Sequence, residues 1–152
     1  MRLPAHSPLH QYSPFHADSD NLYGCGKASD YQLQPIRYLE KGELVDKIER
    51  PEALLRGEKV RKAAGGLKFT LVWVDSNRLL AVGSNRFGQC GQNSIRAPDV
   101  KQLTPISCPF EKGEEILDIA CGFCHSLVLT NKYVYFFGSI EQGQNPFACK
   151  YP

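Results

Sequence analysis

No apolar run in this sequence approaches the ~20 residues that span a bilayer, and Met1 to Phe15 lacks the apolar centre of an export signal. A helical membrane span is thereby excluded, and the expected location is intracellular, in cytoplasm or nucleus. Charge of one sign is also scarce. A net charge of +2 gives neither nucleic acid nor an anionic membrane surface the concentrated positive charge that both require. Gly-x-Ser-x-Gly, Gly-x-x-x-x-Gly-Lys-Ser/Thr and carboxylate pairs tied to a pocket are all missing, so the chain carries no enzyme signature and implies no cofactor.

The residues that are present describe a folded chain. Hydrophobic residues make up 42% and charged residues 22%, with 13 Gly, 8 Phe and 7 Tyr, which suits many short strands joined by tight turns. At 152 residues, one domain would bury roughly two-thirds of the unfolded surface.

The stretch from Ala120 to Gln144 occurs more than once. About 56 residues earlier, Ala64, Gly66, Leu71-Val72, Gly83-Ser84 and Gly88-Gln89 stand where Ala120, Gly122, Leu127-Val128, Gly138-Ser139 and Gly143-Gln144 stand later, with one residue lost at a turn. Repetition at this period points to a propeller or another repeat array, because one such unit cannot bury its apolar faces alone. Each copy has two apolar runs about a short polar turn, predicting β-hairpins near 67 to 83 and 123 to 138. In the later hairpin the turn is Asn131-Lys132, and Asn tolerates the left-handed conformation that a two-residue turn demands.

The pattern Ala-x-Gly-x-x-His-Ser-Leu-Val-Leu-Thr, then Val-Tyr-x-x-Gly-Ser, then Gly-Gln resembles the repeat of the regulator of chromosome condensation family. Matching residues are Ala64, Gly66, Gly83, Asn85, Gly88, Gln89 and Gly91 in one copy, and Ala120, Gly122, His125, Ser126, Gly138, Gly143 and Gln144 in the next. Two positions depart from it: Lys68-Phe69-Thr70 stands where Cys124-His125-Ser126 does, and Ile140 replaces the expected Asn. The resemblance implies an all-β fold, a partial β-propeller forming an open arc of about two to three four-stranded antiparallel blades. It also implies protein partners such as small GTPases, chromatin or ubiquitin-ligase machinery. Guanine nucleotide exchange is the family's best-known activity, and it works by displacing nucleotide with a loop, so no catalytic side chain need be visible.

Along the chain, residues 1–17 hold Pro4, Pro8 and Pro14 with His6, His10 and His16, and read as an irregular N-terminal arm without a common face for metal. The incomplete propeller then occupies 18–152. Asn21 to Gly26 is a weaker copy of the second hairpin strand, with Gly26 matching Gly83, so the chain enters in mid-blade. Leu39, Leu44, Val45 and Ile48 predict one or two amphipathic helical turns before Pro51. Arg56, Lys59, Arg61 and Lys62 form a basic cluster that reads as a solvated strand surface, with a phosphate contact or nuclear address as the sharper alternative.

Six cysteines without an export signal are expected to be reduced. Cys121-Gly-Phe-Cys124-His125 meets the bare pattern for covalent haem attachment, yet the His belongs to the repeat, and no second Cys pair completes a zinc site. A redox or metal protein using Cys121 and Cys124 is one alternative reading, and a truncated or degenerate propeller fragment without independent activity is another. The leading one is a non-catalytic protein-interaction module of regulator of chromosome condensation type, in which open blade edges invite self-association.

Overall fold

The computed structural model describes residues 15–18, 21–27, 44–49, 58–92, 96–140 and 143–151, with side chains placed over 58–92 and 96–139. Among these, β1 (Phe15–Asp18), β2 (Asn21–Lys27) and β3 (Leu44–Glu49) form one sheet. A second holds β4 (Val60–Gly66), β5 (Phe69–Val74), β6 (Arg78–Ser84) and β7 (Asp99–Pro105). The third holds β8 (Ile116–Cys121), β9 (His125–Thr130), β10 (Val134–Ile140) and β11 (Gly143–Tyr151). Every sheet is an antiparallel meander in chain order. Both expected hairpins are present, as β5–β6 and β9–β10.

The repeat extends to irregularities of register. A shift falls just before a glycine in all three sheets, between Gly24 and Gly26, Ala81 and Gly83, and Phe136 and Gly138. A second separates Val60 from Lys62 and recurs between Ile116 and Asp118. Such shifts bend a strand and increase its twist. They place Gly83 and Gly138 at φ 109° and 105°, where a side chain is strained. A Cβ at Gly83 would also run into the Lys68 carbonyl, and one at Gly138 into that of Cys124. The same two carbonyls accept hydrogen bonds from the next residues along, Ser84 N–H at 2.7 Å and Ser139 N–H at 3.0 Å.

The middle sheet is buried on both faces. Phe69, Leu71, Leu79 and Ala81 join Ile116, Ile119, Val128, Tyr135 and Phe137 of the third sheet in one apolar cluster. Thr70, Val72, Val74, Leu80 and Val82 alternate with them and are equally enclosed, on the opposite face. The first strands of the second and third sheets, β4 and β8, lie side by side, and β1 lies against β4. Three stacked sheets in this order form an arc of propeller blades.

Three local expectations are corrected. Leu44 to Glu49 is strand β3, not helix: it pairs with β2 through Gly26–Val45 and Lys27–Leu44, as β7 pairs with β6 through Gly83–Val100 and Ser84–Asp99. The open edge of β2 offers Leu44, Val45 and Glu49 ladder partners, which a short helix beginning near Gly42 cannot match. Leu39 lies outside the described residues. Asn131 is not left-handed; among the described non-glycine residues Lys68 (φ 62°) and Asn77 (φ 59°) are. The side chain of Asn131 instead accepts the Glu115 N–H at 3.1 Å and donates to the Gly113 carbonyl at 3.2 Å, fastening the hairpin turn to the segment before β8. Finally, β1 takes its first residues from the stretch read as an irregular arm, and residues 1–14 lie outside the description.

Replacing Gly83 by Ala is expected to lower stability in urea by roughly 2–4 kcal/mol, since backbone strain and the carbonyl clash add. Gly113, at φ 76° with nothing within 4 Å of its Cβ direction, is the control, expected to lose about 1–2 kcal/mol on the same change. Equal losses at the two sites would contradict the steric account.

Candidate protein-interaction surface

Loops gather at one end of the stacked sheets. The β4–β5 turn, the β6–β7 loop and the β8–β9 turn all lie there, and polar bonds tie them across the blades. Leu67 N–H donates to the Phe123 carbonyl at 3.0 Å. The buried Ser126 hydroxyl donates to the Gln89 carbonyl at 2.7 Å.

The repeat-signature residues build this end. Asn85, fully enclosed, accepts Cys90 N–H at 2.9 Å and donates to the carbonyls of Gln92 (3.1 Å) and Ala97 (2.8 Å), so one amide closes the loop between β6 and β7. Gly88 and Gly91 take positive φ in that loop, and the Gln89 side chain accepts Phe87 N–H at 3.0 Å. Gly66 lies under the Phe69 ring and Gly122 under the His125 ring, where any Cβ would collide. Ala64 and Ala120 pair with Leu71 and Leu127. His125 stacks on Phe136 with centroids 5.5 Å apart and an interplanar angle of 22°, a packing role matching that of Phe69. In the third sheet Ile140 replaces Asn85 and no such loop exists. Ile140 pairs directly with Gly143, and Gly143 and Gln144 lie in β11.

At the opposite end Asn77, in the β5–β6 turn, donates to the Glu114 carbonyl at 2.9 Å and accepts Ile116 N–H at 2.8 Å. Glu114 is itself buried, and its carboxylate accepts from Tyr135 Oη (2.9 Å), Thr130 Oγ1 (2.7 Å) and Glu111 N–H (2.8 Å). Neither residue figures in the repeat signature read from the sequence. The Gly113-Glu114 pair does repeat Gly57-Glu58, which was the available signal.

Among the described residues Cys90, Cys108, Cys121 and Cys124 are free thiols, Cys90 buried and the others half-buried. Cys121 closes β8 and points its Sγ at the Ala64 carbonyl of the neighbouring sheet, 3.4 Å away. Burial pushes its thiol up to about 12, against smaller opposing hydrogen bonds from Ser126 and Leu71 and the charge of Lys62. Burial, reinforced by Glu114, pushes Cys108 up to about 12 as well, and burial also raises Cys90 and Cys124. Such groups carry almost no thiolate at neutral pH, so Cys121 and Cys124 are poorly suited to redox chemistry. Among the described residues no group of three or more His, Cys, Asp or Glu side chains is placed to hold a metal ion, and no helix is long and apolar enough to cross a membrane. Of the basic cluster, Arg61 and Lys62 lie in β4, with Lys62 paired to Asp118 of the next sheet, while Arg56 lies outside the described residues.

Among the described residues two surfaces are apolar and open. At the loop end Phe123 is 62% exposed and Phe87 38% exposed, beside exposed Lys68 and Arg86. On the outer face of the third sheet, Leu117, Leu127 and Leu129 are exposed, whereas Leu71, the repeat equivalent of Leu127, is fully buried.

With this geometry, comparison with known proteins is direct. Residues 76–129 match the regulator of chromosome condensation (RCC1) repeat, a stretch running from the β5–β6 turn into β9, so that one sequence repeat straddles two blades. The chain is an RCC1-type repeat protein folded as part of a β-propeller. It is 33% identical over 91 residues to the mouse serine/threonine-protein kinase Nek9, covering 59% of this chain and 9% of the kinase. It is 34% identical over 114 residues to the mouse secretion-regulating guanine nucleotide exchange factor, covering 74% of this chain and 22% of that protein. Yeast RCC1 (Prp20), in its crystal structure bound to Kap60, superposes with a TM-score of 0.66 at 24% identity, covering 91% of this chain and 32% of the other. The chain thus spans a third or less of the length of these three proteins.

The Ser126–Gln89 bond is expected to matter more than its size suggests, because removing the hydroxyl strands a buried carbonyl. Ser126→Ala should cost about 1–3 kcal/mol in urea unfolding. Thr104→Ala, which loses an exposed bond to the Gln102 carbonyl, should cost less than about 0.5 kcal/mol. A Ser126→Ala protein as stable as the parent would show that the bond does not join the blades.

Proposed function

We propose that this chain is a non-catalytic protein-interaction module that engages a small GTPase, as a regulator of the nucleotide-exchange type, through the loop end of its blades. The observation carrying the reading is Phe123. A phenyl ring 62% exposed at the tip of a turn that is hydrogen-bonded to its neighbour costs hydration without contributing to the core. An aromatic side chain on a rigid turn, with Phe87 on the adjacent loop and cationic residues around both, has the composition of an interface anchor. The alignment with an exchange factor over 74% of this chain supports a GTPase as the partner class. Nucleotide displacement needs no general acid or base, so the packing role of His125 and the high thiol pKa values agree with a non-catalytic module. The functional unit is the arc that opens with β1, and its partner is met in cytoplasm or nucleus.

The test is binding of the purified chain to immobilised small GTPases, nucleotide-free and nucleotide-loaded, with and without Phe123→Asp. Saturable binding that weakens by about tenfold or more in the variant is expected, the effect of removing an interface anchor. Binding to none of the GTPases, or binding indifferent to Phe123→Asp, would sink the reading. Release of a fluorescent guanine nucleotide by substoichiometric protein then decides whether the bound arc also exchanges.

A further inference from the structure

Where the chain leaves β6 for β7 it is enclosed except at one corner. Residues 81–90 are buried apart from Arg86 and Phe87, which stand exposed side by side. They occupy the two central positions of a β-turn closed by Gly88 N–H donating to the Asn85 carbonyl at 2.9 Å. The turn is pinned on every side. Asn85 N–H donates to the Pro98 carbonyl at 2.7 Å, the Asn85 side chain accepts Cys90 N–H at 2.9 Å, and Phe87 N–H donates to Gln89 Oε1 at 3.0 Å. Ser126 then seats the loop on the third sheet by donating to the Gln89 carbonyl. The sheets on both sides of this junction are in place, so the exposed corner does not arise at an end of the stack.

Neither residue serves the repeat. Ser29 and Asp30 hold the corresponding positions after β2, and Glu141 and Gln142 hold them after β10. A cation beside an aromatic ring is particular to this turn. Arg86 has no partner among the described residues, whereas Lys62, Arg78 and Lys132 are matched by Asp118, Glu58 and Glu111. Negative charge is kept away from it. Glu58, Asp75, Glu111, Glu114 and Glu115 lie at the opposite end of the stack and Asp118 lies in β8. Asp99 is the one described carboxylate at the loop end, and one of its oxygens is buried.

A guanidinium presents its N–H donors as a planar fork that a carboxylate accepts in bidentate fashion. A phenyl ring beside it supplies apolar contact area at small cost in ordering. Because the turn is already fastened, docking it forfeits little further freedom. Among the described residues the loop end adds only Lys68 and Arg96 to Arg86, too few cations to follow a nucleic-acid backbone.

We propose that Arg86 sets the specificity of the loop end by pairing with a carboxylate of the docked protein, while Phe87 enters an apolar recess beside that carboxylate. The partner is a protein whose docking surface carries an exposed Asp or Glu at the rim of an apolar pocket. Asn85 is a positioning residue that holds the turn. The proposal rests on the reading of the loop end as the face that meets a GTPase, and adds the charge which that GTPase must present.

The test measures affinity of the full chain for the immobilised GTPases at low and high salt, for the parent, Arg86→Gln, Arg86→Lys and Phe87→Ser, each matched to the parent in urea unfolding. Arg86→Gln is expected to weaken binding about tenfold or more at low salt and to flatten its salt dependence. Arg86→Lys keeps the charge but loses the fork, and should recover only part of the loss. Phe87→Ser should weaken binding at both salt concentrations alike. Replacing the exposed Asp and Glu residues of the bound GTPase singly by Ala should reveal one position whose change no longer matters in the Arg86→Gln background. Arg86→Gln binding as the parent does, while Phe123→Asp is impaired, would overturn the proposal and leave the interaction module standing. Arg86→Lys binding as tightly as the parent would replace the fork by diffuse attraction and overturn it too, as would an unaffected Phe87→Ser or the absence of any coupled carboxylate. Retention of a single-stranded RNA oligonucleotide that is lost in Arg86→Gln would assign the fork to phosphate, against the proposal. Binding to none of the GTPases would remove both readings together.

Discussion

The packing of one sheet on the next is the constraint from which the rest of this structure follows. A four-stranded antiparallel sheet with apolar residues on both faces has no stable existence in water alone, and stacking is what converts those faces into a core. The second sheet shows the completed state, with Leu71 and Val72 on opposite faces and both fully buried. Polar bonds at either end hold that stack in register: Ser126 to Gln89 at the loop end, and Asn77 to Glu114 and Ile116 at the other. Each replaces a bond to water that the stacking removes, so the blades can close without stranding a donor.

The glycines serve the same constraint from within a blade. The register shift before Gly83 and Gly138 turns the strand so that its backbone lies against the carbonyl at the start of the preceding strand. Sheets bent alike at equivalent positions stack as nearly identical layers. The loop between β6 and β7 then depends on Asn85, whose side chain does the work of several main-chain partners. Where Ile140 stands in its place, the chain turns straight from β10 into β11.

Much of this was legible from residue pattern. The glycine spacing located both hairpins, the repeat position of β2 and the equivalence of Phe69 with His125, because these are local signals repeated in one chain. Strands β3 and β11 were not legible. The Leu44–Glu49 stretch satisfies a short helical pattern, and only the open edge of β2 decides against it. Gly143 to Tyr151 has no repeat partner in sequence at its own register. The turn at Asn131 was assigned by residue type, whereas the side chain's reach to Glu115 and Gly113 determines its conformation. Phe123 was hidden inside a Cys-x-x-Cys-His pattern that suggested cofactor chemistry. Its exposure is a property of the stacked turns, which no spacing along the chain expresses.

Leu71 and Leu127 give the most direct test that stacking, and not the individual blade, supplies the core, since they are the same residue at equivalent repeat positions with 0% and 37% exposure. Urea unfolding of Leu71→Ala and Leu127→Ala should be compared at concentrations low enough that the chain is single. The stacked arc predicts a loss of about 2–5 kcal/mol for Leu71→Ala and less than about 1 kcal/mol for Leu127→Ala. Equal losses at the two positions would contradict it.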